Sequence, residues 1–337
     1  MSELEPITPA DAKEMYLASR QDEVTEATYK AHNYRLNHFI RWCNEYDIDN
    51  LNDINGRSVH RYRLWRRDDG DLNNVTLKTQ LDTLRVFIRF CEGINAVEDN
   101  LHDKVISPTL KHGENQRDVM LEADTAEDVL EYLHKFEYAS CRHTLLEILW
   151  HTGIRTGSAH SLDVDDYYPR KACLKLRHRP ETETRLKNGK QGERFVALNE
   201  RVCRVVDDWL DTIRPNVTDD YDRNPLFASK RGRLHKNTMR AYVYHVTSPC
   251  YYTGECPHGR SIDDCEATSY GQAHGCPSSI SPHAIRRGSI THHLSSDVPE
   301  KVVSDRMNVG QKVLDAHYDR RSEEQKLEQR RGYLGNI

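Results

Sequence analysis

At 337 residues, 37% hydrophobic and 30% charged, the chain is long enough for two domains and apolar enough to bury cores, which excludes an intrinsically disordered chain. No apolar run approaches the ~18 residues of a membrane span, and the acidic start MSELEPITPADAKEM lacks the apolar stretch of an export signal, so a cytoplasmic protein is expected. A formal net charge of -5 argues against a uniformly basic nucleic-acid binder, although a basic groove can sit on an acidic body.

Residues 8–100 read as helices separated by short polar breaks. Over 28–44, Tyr29, His32, Leu36, Phe39, Ile40 and Cys43 recur at helical spacing. A helix over 58–67 follows Asn55-Gly56. Another over 74–91 carries Val75, Leu77, Leu81, Leu84, Val86, Phe87 and Phe90 mostly on one face, after the turn signal Asp69-Gly70-Asp71. The pattern predicts a bundle of about four helices for residues 1–105, with Arg61, Arg63, Arg66, Arg67 and Lys78 as candidate phosphate contacts. Residues 106–120, polar and aperiodic with Pro and Gly, read as a linker.

A second domain is predicted over 121–337. Thr125 and Asp128 form a capping-box pattern before a helix over 126–136, and a helix over 141–152 stops at Gly153. Residues 173–176 and 195–198 read as paired strands around a polar loop. Helices follow over 200–213, before Pro215, and over 236–246. Ser281 as cap and Pro282 at the first position start a helix over 283–294. Segments 299–307 and 312–318 also look helical, with a charged tail over 320–337. The expected fold class is mainly α with a small β-hairpin or sheet.

Five of the nine cysteines, Cys43, Cys91, Cys141, Cys173 and Cys203, sit singly in apolar patterns, as reduced core thiols do. Cys250, Cys256, Cys265 and Cys276 cluster in an insertion spanning 248–278. Four thiols in fewer than thirty residues, with Pro and Gly between, suit a tetrahedral structural zinc, and His258 or His274 can replace one of them. A closed four-ligand shell leaves no open position for chemistry.

Four features carry chemistry. Arg155 follows a helix stop in Thr152-Gly153-Ile154-Arg155. Lys187 and Lys190 lie on the polar loop between the strands. His283 and Arg286, three apart at a helix start, share a face beside free backbone N–H groups, a setting that suits phosphate. Tyr318 ends an amphipathic segment. Singly, each is an ordinary surface or packing residue. In this order and spacing they resemble the catalytic set of the tyrosine recombinase (phage integrase) family, over residues 121–320, and the cysteine cluster is similar to that of integrases from halophilic archaea.

The resemblance implies a helical core-binding (SAM-like) domain followed by a tyrosine-recombinase catalytic domain. It implies that Tyr318 is the nucleophile, forming a covalent 3′-phosphotyrosine. Arg155 and Arg286 would clamp the scissile phosphate, His283 would assist there, and Lys187, or else Lys190, would protonate the leaving 5′-oxygen. No catalytic metal is implied. Double-stranded DNA would be the partner, with a homotetramer assembled on paired sites and the tail docking on a neighbouring subunit. Two positions depart from the family: Ser158 stands where an acidic residue is usual, and the second His or Trp is missing near Met307-Asn308-Val309-Gly310, where Asn308 is the candidate substitute. Rival readings are a zinc-containing DNA-binding regulator without catalysis and a type IB topoisomerase.

Overall fold

Short polar residues start the N-terminal helices. Thr8 caps α1 (Pro9–Arg20), Thr25 caps α2 (Glu26–Glu45), Asn55 caps α3 (Gly56–Asp69) and Asn73 caps α4 (Asn74–Gly93). Each side chain accepts a backbone N–H of the first turn, which would otherwise lack a partner. The computed structural model describes residues 3–111, 113–114, 119–317, 323–324, 327–328 and 331, in two units, Met1–Arg117 and Asp118–Ile337.

In the first unit, the apolar stripes of α2 and α4 meet those of α1 and α3. Tyr16, Phe39, Trp42, Tyr62 and Phe87 form a buried aromatic centre with edge-on ring contacts. The predicted helices over 28–44, 58–67 and 74–91 fall inside α2, α3 and α4; α1 had no predicted bounds of its own. One predicted DNA contact is corrected. Arg66 is buried, its Nε donating to Gln80 at 2.8 Å and its Nη1 to Asp69 at 2.9 Å, so it braces α3 against α4. Arg61 and Arg67 are exposed and Arg63 partly so; Arg67 pairs with Asp68, and Lys78 pairs with Asp82 at 3.4 Å.

The second unit is built around α6 (Cys141–Thr152), packed by α5 (Ala123–Phe136), α8 (Glu200–Asp208), α9 (Lys236–Val246) and α11 (Pro282–Ser295). Surrounded this way, α6 buries nearly every side chain from His143 to Thr152. The short α7 (Thr156–Ser161) follows it, and α10 (Pro249–Thr253) packs on α5 and α9. Strands β1 (Tyr167–Tyr168), β2 (Cys173–Leu176) and β3 (Arg194–Ala197) make an antiparallel sheet in that order, with Leu174 opposite Val196; β4 (Ala228–Ser229) and β5 (Gly232–Arg233) make a hairpin. The chain is thus mostly helical with small antiparallel sheets.

The capping box at Thr125 is not formed. α5 starts at Ala123 after Glu122, with no side-chain cap, so Thr125 lies inside its first turn, where Asp124 faces the positive end of the helix dipole. The helix over 200–213 gives way after Asp208 to one π-turn, Trp209–Ile213. Finally, α12 (Glu300–Met307) and α13 (Gln311–His317) fold onto α11 through a small core of Ile290, Leu294, Val303, Met307, Val309 and Leu314.

Candidate active site

Three chain reversals bring the predicted residues into one neighbourhood. Gly153, at φ +60°, ends α6 and leaves Arg155 as the residue that opens α7. A Cβ on Gly153 would stand 2.6 Å from the Met307 sulfur, so glycine both permits the left-handed turn and admits α12. On α11, Ser281 accepts the Ala284 N–H and sets the helix start. Arg286, one turn in, is 2% exposed and donates from Nη1 to the Gly153 carbonyl at 2.5 Å. The α11 backbone runs so close to the start of the unit that a Cβ on Gly288 would lie 1.9 Å from the Leu121 carbonyl oxygen.

His283 sits at the exposed edge of α11's first turn. Its ring is held below the ordinary histidine value, first by desolvation and then by the charges of Arg287, Arg286, Lys187 and Arg155. Four cations from α11, the strand loop and the start of α7 therefore act on one imidazole. Lys187 belongs to this neighbourhood. The shift favours the neutral ring, which can accept a proton. In an NMR titration of the DNA-free protein, the His283 midpoint is expected below 6.5, and Lys187→Gln is expected to raise it by removing one repelling charge. A midpoint at or above 6.5 would show that the cations do not converge on the ring.

Asn308, at φ +49°, closes α12. Its backbone carbonyl accepts from Arg155 Nη1 at 3.3 Å, and its side-chain oxygen accepts from Asn188 Nδ2 at 3.1 Å. One residue thus ties Arg155 to the loop that carries Lys187. The adjacent Val309 is buried in the small core, and Ser158, in the acidic position, is buried in α7 with its N–H bonded to the Arg155 carbonyl at 2.8 Å.

Sequence reasoning missed Arg194 and Arg306. Arg194 donates to the carbonyls of Arg306 (2.7 Å) and Gly192 (2.8 Å), and it is pushed down to about 10 by desolvation and by Arg286, Arg155 and Arg306. Burial also lowers Arg306, which donates to the His151 carbonyl at 2.9 Å. The signal for Arg194 was present in the strand alternation. Counting back by two from the buried Leu198 and Val196 puts Arg194 on the inward face, where an arginine is out of place unless it has work to do.

Tyr318 and most of the tail over 320–337 lie outside the described residues; α13 ends at His317, the residue before the tyrosine. Cys250, Cys256, Cys265 and Cys276 line one cavity, which His245 and His258 also border, and His274 is not among its lining residues. Among the described residues, no group of three or more His, Cys, Asp or Glu side chains is placed to hold a metal ion. No helix among the described residues is long and apolar enough to cross a membrane.

Comparison with known proteins agrees with this arrangement. The model of the phage integrase family matches residues 120–253, and that of the phage integrase N-terminal SAM-like domain matches residues 15–93. The first match ends within the cysteine-rich insertion, just after Cys250. The tyrosine recombinase XerD of Shewanella oneidensis is 21% identical over 287 residues, covering 83% of this chain and 81% of its own. Among solved structures, the Tn1549 transposon integrase in complex with a circular intermediate DNA covers 96% of this chain and 99% of its own, at 15% identity and a TM-score of 0.67. A lambda integrase dimer bound to a COC′ core site covers 96% and 78%, at 12% identity and a TM-score of 0.63. With a matching catalytic model, a matching N-terminal model and a shared fold, the chain belongs to the phage integrase family of tyrosine recombinases, which cleave and rejoin DNA.

Proposed function

We propose that this chain is a site-specific DNA recombinase whose Tyr318 forms a covalent 3′-phosphotyrosine with one DNA strand. The observation that carries the reading is that Arg286 is tied to the Gly153 turn that leads into Arg155, while Asn308 ties Arg155 to the loop that carries Lys187. Double-stranded DNA is the proposed partner, and the DNA-bound state of the two fold neighbours supports it. A homotetramer on two paired sites, working in the cytoplasm, completes the proposal.

The chemistry follows from the charges. The Tyr318 oxygen attacks the scissile phosphorus, the new P–O bond to tyrosine forms, and the P–O5′ bond breaks. The phenolic proton passes to neutral His283, and Lys187 gives a proton to the departing 5′-oxygen. Arg155 and Arg286 meet the negative charge that builds on the non-bridging oxygens, for which a planar guanidinium is shaped. One phosphoester replaces another, so a 5′-hydroxyl can reverse the step without ATP. Asn308 acts as a positioning residue for Arg155 and the lysine loop.

The test is covalent trapping. Wild-type protein, incubated with nicked DNA substrates taken from the flanks of its own gene, is expected to give a denaturant-resistant adduct that Tyr318→Phe does not give while still binding the DNA. Folded wild-type protein that binds this DNA without forming any adduct would favour a regulator that has lost catalysis.

A further inference from the structure

The insertion between α10 and α11 has no core of its own. Of residues 254–279, Ala273 alone is buried, and Tyr270 is 88% exposed. The segment consists of turns, with single 3-10 turns at Glu266–Thr268 and Ala273–Gly275. A stretch this polar cannot offset its conformational entropy by apolar burial and needs a cross-link to hold one shape. Its three cysteines and Cys250 on α10 are not disulfide-bonded, yet Cys250, Cys256, Cys265 and Cys276, separated by five, eight and ten residues, all line the same cavity of about 250 Å³.

From this convergence we propose that Cys250, Cys256, Cys265 and Cys276 bind one zinc ion as a closed, structural tetrathiolate site. Thiolate sulfur selects zinc over the hard cations that take oxygen ligands, and four sulfurs complete a tetrahedron. The sulfurs do not yet stand at metal-binding spacing, so the loop must draw inward around the ion. It has the freedom to do so: Gly254, Gly259 and Gly271 take positive φ with open space around them. The base of the loop is already fixed, because the Ile280 N–H donates to the Thr247 hydroxyl at 2.9 Å. The ion would link Cys250 on α10 to Cys276, five residues before the Ser281 cap of the helix that carries His283 and Arg286.

The inference stands independently of the recombination reading, and so does its test. Untagged protein, purified under reducing conditions without chelator, is assayed for metals by mass spectrometry and for free thiols after denaturation. About one zinc per chain is expected, falling several-fold in Cys250→Ser and in Cys276→Ser while His258→Ala retains it. Cobalt substituted for zinc should show the intense absorption of a tetrahedral thiolate site, which also serves where a serine variant fails to fold. Folded wild-type protein with less than about a tenth of an equivalent of zinc after growth in zinc, iron in zinc's place, or an oxidised cysteine pair among the four would overturn the assignment.

Discussion

Arg286→Lys is expected to slow single-turnover strand cleavage by about 10²–10³-fold, with DNA affinity changed only a few-fold. Arg286 is almost fully buried and fixed through the Gly153 carbonyl, so its guanidinium is oriented before DNA arrives. Lysine keeps the charge but loses the planar fork that can hold one nitrogen on Gly153 and present others to a phosphate. A pre-positioned donor aimed at developing charge needs no reorganisation during the reaction, which is why its loss falls on the rate. The measurement is adduct formation on a nicked substrate at saturating protein, with a melting curve to verify folding. A loss smaller than tenfold would remove Arg286 from the phosphate clamp.

Glu147→Gln is expected to destabilise the second unit by about 3 kcal/mol, a fall in melting temperature of roughly 6–12 °C for a unit of this size. Glu147 is fully buried in the middle of α6, at ion-pair distance from His143 (3.4 Å), His151 (2.9 Å) and Arg201 (2.9 Å). Burial alone would raise its carboxyl, but the contacts with His143 and His151 and the charge of Arg201 outweigh it and hold the group far below the carboxylate range. Because the folded value is depressed, the stabilisation is complete above the unfolded value of about 4.3 and is lost as pH falls below it. Wild-type and variant stabilities, followed by denaturant unfolding, should therefore differ most near neutrality and converge in acid. A constant difference down to pH 2 would mean that Glu147 contributes by packing rather than by charge.

What the sequence made legible was local. Gly153 as a helix stop, Ser281-Pro282 as a helix start and the two short strands β2 and β3 each follow from backbone chemistry within a few residues, and each is seen. Misreadings arose where distant partners decide. Arg66 looked like one more arginine on a basic helix, yet Gln80 on α4 draws it inward. Thr125 had a capping spacing, yet α5 begins a turn earlier. Arg306 has no local signal, since its role depends on His151 and Arg194 from other elements. Asn308 was guessed from position alone, and its two links to Arg155 and Asn188 are tertiary.

The clasp between Thr247 and Ile280 joins residues 33 positions apart. Once the two ends of a loop are held, the entropy of closing it grows only with the logarithm of its length, about 0.6 kcal/mol for each doubling. The catalytic fold is therefore nearly indifferent to how far the chain wanders between these two residues. A lineage can lengthen, shorten or re-purpose the excursion without moving α11, and the chemistry on that helix can persist while the neighbouring segment changes beyond recognition.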